Sequence, residues 1–78
     1  MYTIYSKPSC SYCSQAKQLL EMKQLPFVYK QLGVDYTLQE LWEVSPTART
    51  FPVILKGEEF IGGFANLCEH LSKTLQGD

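Results

Sequence analysis

The 78-residue chain has room for one small domain, close to the size at which a hydrophobic core begins to need help from disulfides, metals or partners. Apolar residues make up 45%, with aromatics spread along the chain, which is enough for a core without staples, and three cysteines are an odd and sparse set for a disulfide-framed secreted domain. A formal charge of -1 with no basic stripe leaves no electrostatic footprint for nucleic acid or anionic lipid, and no stretch approaches the roughly 20 apolar residues of a membrane span. MYTIYSKPSC lacks the long apolar core of a signal peptide. The expectation is a cytoplasmic monomer forming a single domain over residues 1–78, with no nucleic-acid or membrane partner and with its substrate recognised locally.

In chain order, MYTIYS is a short β-prone run that ends at the turn residues Ser6, Pro8 and Ser9. From Ser11 to about Lys23, Cys13, Ala16, Leu19 and Leu20 recur near helical spacing, and Pro26 stands just past the end. Phe27 to Leu32 reads as a second strand broken by Gly33. Thr37 followed by Glu40 is a capping box, and Leu38, Leu41 and Trp42 give the next helix an apolar face before Ser45-Pro46 stops it. PVILK and EFIG flank Lys56-Gly57-Glu58 and predict a hairpin. From Phe64, the pattern Phe64, Leu67, Cys68, Leu71, Leu75 predicts a closing amphipathic helix, with Cys68 buried as a small hydrophobe and His70 in solvent. The order β-α-β-α-β-β-α implies a right-handed parallel crossover followed by an antiparallel hairpin, hence an α/β fold with a four-stranded mixed sheet flanked by three helices.

Chemistry concentrates in KPSCSYC, Lys7 to Cys13. The pair sits at a strand-to-helix junction, so Cys10 falls at or beside the first helical position and Cys13 one turn later on nearly the same face. Unpartnered N–H groups and the positive end of the helix dipole stabilise a thiolate at Cys10, and Lys7 adds a cation. Cys10 is then the acidic, exposed thiol, and Cys13 the buried one of higher pKa. A fall in pKa from about 8.5 to about 5.5 raises the thiolate fraction roughly 30-fold, while a Brønsted slope near 0.45 takes back about 20-fold in nucleophilicity. Acidity therefore helps Cys10 to leave more than to attack. Two other readings stand beside a reactive pair. Half of a zinc site would need Cys68 and His70, which are about 200° apart on their helix, and a structural staple would close too short a loop to restrict the unfolded chain. CxxC beside a βαβ pattern reads as a thioredoxin-like redox motif.

Lys7-Pro8-Ser9-Cys10-Ser11-Tyr12-Cys13 resembles the active-site segment of glutaredoxins, usually K-x-x-C-P-Y-C. ARTFP, Ala48 to Pro52, looks like the family's R-T-V-P segment, and IGGF, Ile61 to Phe64, looks like its I-G-G turn before the last helix. The resemblance covers essentially the whole chain and implies a thioredoxin-like fold. It also implies a glutathione-dependent thiol–disulfide oxidoreductase that reduces protein disulfides and glutathione mixed disulfides through Cys10 and Cys13. Glutathione is then a cosubstrate, no metal is expected, and disulfide-containing proteins such as ribonucleotide reductase are the partners. By the same resemblance, Lys7 and Gln39, assisted by Arg49, meet the glycine carboxylate, and Thr50, Phe51 and a cis-Pro52 align the cysteine of glutathione. Gly63, Phe64 and Ala65 hold the γ-glutamyl carboxylate, and Tyr12 flanks the groove. By base rate alone, Phe51-Pro52 would be trans.

The sequence departs from the family at two places. Ser11 replaces the usual proline and restores a backbone N–H beside Cys10. Serine there also occurs in glutaredoxins that hold a [2Fe-2S] cluster between two subunits, with Cys10 as the ligand by analogy. Ala65-Asn66 stands where the family commonly carries an aspartate for the γ-glutamyl ammonium. Asn66 can substitute through its amide oxygen or serve as an N-cap. Weakened glutathione recognition would leave a thioredoxin-like electron donor to ribonucleotide reductase, itself reduced by a flavoenzyme.

Overall fold

Seven elements follow one another in the expected order: β1 (Tyr2–Ser6), α1 (Ser11–Met22), β2 (Phe27–Gln31), α2 (Leu38–Val44), β3 (Val53–Lys56), β4 (Glu59–Gly62) and α3 (Phe64–Gln76). The computed structural model describes residues 1–48 and 50–76, and side chains as far as Ser72. The strands form one mixed sheet in the order β2-β1-β3-β4. β1 pairs parallel with β2, as a strand-helix-strand crossover requires, and antiparallel with β3. β3 and β4 make the hairpin, turned at Gly57 with φ 62 and irregular in register between Ile54 and Leu55. Leu32 falls just outside β2, where it bridges to Tyr36.

Alternation along β1 and β3 divides the core between the faces of the sheet. Tyr2, Ile4 and Ile54 pack with Ala16 and Leu20 of α1 and Leu67 and Leu71 of α3. Tyr36, Leu41, Ala48, Val53 and Leu55 cluster on the other face, with Tyr5, Leu32 and Phe51 beside them. The capping box of α2 forms as expected: the Glu40 N–H donates to Thr37 Oγ1 at 3.2 Å and the Thr37 N–H to Glu40 Oε1 at 2.8 Å.

Three expectations need correction. Only Leu41 of the α2 apolar face is buried, while Leu38 and Trp42 are exposed. A helix of seven residues lays one turn on the sheet and leaves its flanks uncovered. Cys68 is exposed rather than buried, and His70 is half-buried rather than solvated. α3 hides its central stripe of Leu67 and Leu71, so the fate of each flank depends on what stands next to it. The Tyr2 ring covers the His70 flank, edge-on at 6.0 Å between centroids, and His70 Nε2 has no hydrogen-bond partner among the described residues.

The end of β1 is held by polar groups inside the structure. The Tyr36 hydroxyl donates to the Ser6 carbonyl at 2.6 Å, the Leu32 N–H donates to the same oxygen at 2.9 Å, and Ser6 Oγ donates to the Lys30 carbonyl at 2.7 Å. Burial, with Tyr5 and Tyr29 adding unfavourable charge, pushes the Tyr36 phenol up to about 12. A group whose folded pKa is raised stabilises the fold fully below its unfolded pKa near 10 and loses that contribution as pH rises through the folded value. Tyr36→Phe is expected to cost about 1 kcal/mol in urea unfolding at neutral pH and to flatten the loss of stability between about pH 10 and 12.

Candidate functional site

Beyond Ser6 the chain turns through Pro8 and Ser9, and Ser9 adopts the left-handed region at φ 60. That turn delivers Cys10 in an extended conformation, φ -109 and ψ 106, as the N-cap of α1. Its Sγ accepts the Cys13 N–H at 3.2 Å, the position a capping oxygen normally occupies. The Cys10 carbonyl accepts the Ser14 N–H at 3.3 Å, so the helix begins on this residue. Cys10 is half-buried, whereas Cys13 is 0% exposed beneath it. The two sulfurs are joined as a disulfide with Cα atoms 5.3 Å apart. Ser11 lies exposed at the first helical position, and its N–H is among those with no carbonyl one turn back.

Contacts between distant segments gather the remaining candidates around this pair. The Lys7 ammonium sits over the Phe51 ring, 5.6 Å from its centroid. The Phe51-Pro52 bond is cis, as the resemblance and not the base rate implied. Gly63 passes close enough to Pro52 that a Cβ there would stand 3.7 Å from the Pro52 carbonyl oxygen. Tyr12, 58% exposed, stacks on Phe64 with centroids 5.9 Å apart and ring planes 30° apart, rather than on its own helix. The three segments thus close a ring around the cysteines: Lys7 to Phe51, Pro52 to Gly63, Phe64 to Tyr12.

Open grooves lie on either side. One of about 410 Å³ is lined by Lys7, Ser9, Cys10, Ser11 and Ser14 together with Tyr29 and Gln31 of β2. Another of about 260 Å³ runs past Thr50, Pro52, Gly62, Gly63 and Asn66. Gln39 is exposed in the first turn of α2 and makes no hydrogen bond to the other candidates among the described residues. Ala65 is exposed in the first turn of α3. Arg49 lies outside the described residues. Cys68 and His70 do not join the cysteine pair, since one faces solvent on α3 and the other faces Tyr2.

Asn66 is not the N-cap of α3. Its Oδ1 accepts the Gly63 N–H at 3.2 Å from within the first turn, while the Gly63 carbonyl accepts the Leu67 N–H at 2.9 Å. Among the described residues, the Phe64, Ala65 and Asn66 N–H groups have no carbonyl one turn back at that helix start. Sequence reasoning missed Ser6 and Tyr36, which position the cysteine segment. Their only signal was a serine closing a strand and a tyrosine before a cap, with no spacing to connect them.

The glutaredoxin family model matches residues 2–61, a span holding both cysteines and Phe51-Pro52. The chain belongs to the glutaredoxin family. It is 33% identical over 67 residues to a glutaredoxin of Neisseria meningitidis serogroup A, covering 83% of this chain and 78% of that protein. It is 40% identical over 65 residues to the hybrid peroxiredoxin hyPrx5 of Haemophilus influenzae, covering 83% of this chain but spanning only 27% of the relative's length. Its fold superimposes on the buckwheat glutaredoxin–glutathione complex with a TM-score of 0.67 at 26% identity, over 97% of this chain and 69% of that one. The disulfide at the start of α1 and the Phe51-Pro52 segment both fall within the matched span.

Gly62 tests how tightly the second groove is built. Its φ of 125 disfavours any side chain, and a Cβ would stand 2.7 Å from Asn66 Cγ. Gly62→Ala is expected to destabilise by about 1–3 kcal/mol. Adding Asn66→Gly, which removes the Asn66 Cβ at 2.8 Å as well as Cγ and Oδ1, should recover part of that cost, so a double-mutant cycle by chemical denaturation reads a coupling of about 1 kcal/mol.

Proposed function

We propose that this chain is a glutathione-dependent thiol–disulfide oxidoreductase, working as one domain over residues 1–78 in a reducing cytoplasm. The observation that carries this reading is the capping hydrogen bond from the Cys13 N–H to Cys10 Sγ. A hydrogen bond to an ionised acceptor is roughly twice as strong as one to a neutral acceptor, so the same N–H stabilises a Cys10 thiolate more than it stabilises the disulfide. Cys10, half-buried beside an open groove, is the attacking sulfur, and Cys13, wholly buried behind it, resolves.

In the reduced state the Cys10 thiolate attacks one sulfur of a substrate disulfide. A bond forms between Cys10 and that sulfur, the substrate S–S bond breaks, and the departing thiolate takes a proton from water. Cys13 gives its proton to solvent and attacks Cys10 Sγ, which expels the second substrate thiolate and closes the Cys10–Cys13 disulfide. Two electrons have passed to the substrate. One glutathione thiolate then opens the disulfide at Cys10, and a second removes the first as glutathione disulfide. Lys7 and Gln39, with Arg49, would meet the glycine carboxylate, while Thr50, Phe51 and Pro52 align the cysteine. The free N–H groups at Phe64 and Ala65, beside Gly63, would take the γ-glutamyl carboxylate. The fold-level match to a glutathione-bound glutaredoxin supports this placement.

A second reading rests on Asn66. Its amide oxygen is engaged by Gly63, and Ala65 has no polar side chain, so the γ-glutamyl ammonium would lack an anionic partner there. This favours a dithiol carrier re-reduced by a flavoenzyme, with ribonucleotide reductase or, from the similarity to the hybrid peroxiredoxin, a peroxiredoxin as acceptor.

Cys10→Ser is expected to abolish exchange with every disulfide, whereas Cys13→Ser should retain turnover of glutathione mixed disulfides and lose that of protein disulfides, each followed by NADPH consumption. Retained activity in Cys10→Ser would overturn the assignment of roles. With the wild-type protein, a glutathione mixed disulfide should turn over when coupled to glutathione and glutathione reductase. Turnover only with a thioredoxin reductase would select the carrier.

A further inference from the structure

The exchange chemistry leaves the exposed apolar side chains of α2 unused. Leu38 and Trp42 are 41% and 45% exposed. Together with Leu41, Ala48, Thr50 and Phe51 they line a mainly apolar pocket of about 240 Å³. Leu41 and Ala48 are buried and belong to the core beneath, while Leu38, Trp42 and Phe51 keep accessible surface.

This pocket is continuous with the reactive site. Phe51 belongs to both: its ring lies under the Lys7 ammonium, and its carbonyl leads into the cis bond with Pro52. Thr50 lines both this pocket and the groove past Pro52 and Gly63. The link to the reactive pair runs through Phe51 to Lys7, which lines the open groove together with Cys10. Glutathione has nothing to put in the pocket, since its side groups are a charged γ-glutamyl head, a thiol and a hydrogen. A polypeptide substrate does, because residues flanking its reactive cysteine carry side chains of any size. Tryptophan and its aromatic and aliphatic neighbours are the residue types that dominate binding energy when a partner covers them.

We propose that the Leu38–Trp42–Phe51 pocket is a specificity subsite for protein substrates, taking a large apolar side chain that lies close to the disulfide cysteine under attack. The inference rests on the disulfide-exchange reading of Cys10 and Cys13 and names the substrate class which that site prefers. Burial of one leucine or phenylalanine side chain corresponds to about a 10- to 100-fold gain in binding.

The test uses peptides closed by an internal disulfide and identical except for Phe or Ser beside one cysteine, with the cysteine–glutathione mixed disulfide as the small control. Wild-type protein should favour the Phe peptide in kcat/KM by about 10-fold or more. Trp42→Ala and Leu38→Ala should each reduce that preference severalfold while leaving turnover of the small control unchanged. Trp42 is the chain's one tryptophan, so its emission supplies a readout independent of activity. In the Cys10→Ser/Cys13→Ser protein, emission should shift saturably with the Phe peptide and not with the Ser peptide. Equal kcat/KM for the two peptides, or a preference that survives Trp42→Ala, would overturn the subsite. Concentration-dependent sedimentation abolished by Trp42→Ala would also overturn it, since a second copy would then cover the pocket. If no disulfide turns over, the exchange reading falls, and the emission titration alone decides whether the pocket takes the apolar residue.

Discussion

The Ser6 carbonyl accepts two hydrogen bonds, from the Tyr36 hydroxyl and the Leu32 N–H, in a place where water does not compete. These bonds clamp the last residue of β1 to the turn after β2, just before the chain leaves the sheet for the cysteine segment. The Lys7–Ser9 turn starts from this fixed point, so the direction in which Cys10 enters α1 is set four residues upstream. A buried acceptor left without donors costs about 1–3 kcal/mol, which gives this node leverage well beyond its size. The reactive pair is in this sense positioned from the sheet rather than from the helix that carries it.

Around the pair, each contact between segments combines position with chemistry. Lys7 is held over Phe51 and so keeps its charge near the groove of Cys10. Tyr12 leans on Phe64 and ties α1 to the start of α3. Asn66 occupies the Gly63 N–H, which leaves the next amides of α3 to any anion that arrives. Because the Lys7–Phe51 and Tyr12–Phe64 contacts join residues far apart in sequence, the site exists only in the assembled fold.

Much of this could be read from the chain itself. The element order, the sheet's mixed pairing, the capping box of α2 and the burial difference between Cys10 and Cys13 follow from periodicity and from helix-end physics, which act locally. The cis bond at Phe51-Pro52 could be expected only through the family resemblance, since local energetics favour trans. Cys68 and His70 depart from the sequence expectation because a helical stripe identifies the centre of a buried face but not which flank a neighbour such as Tyr2 covers. Spacing places Leu38, Leu41 and Trp42 on one apolar face but cannot reveal that α2 buries only Leu41 of the three. Ser6 and Tyr36 escaped notice because a hydrogen bond across 30 residues leaves no pattern in sequence.

The separation of Cys10 and Cys13 has one more consequence. Positions three apart on an ideal helix have Cα atoms about 5 Å apart, and here the distance is 5.3 Å. The bond therefore spans a gap that the backbone sets in any case, and making or breaking it asks nothing of the rest of the chain. Electrons can be loaded and unloaded at every turnover while the strands, both cores and the ring of contacts stay as they are. A cross-link between distant segments would make each catalytic cycle a mechanical event for the fold; this one confines the change to a single turn of helix.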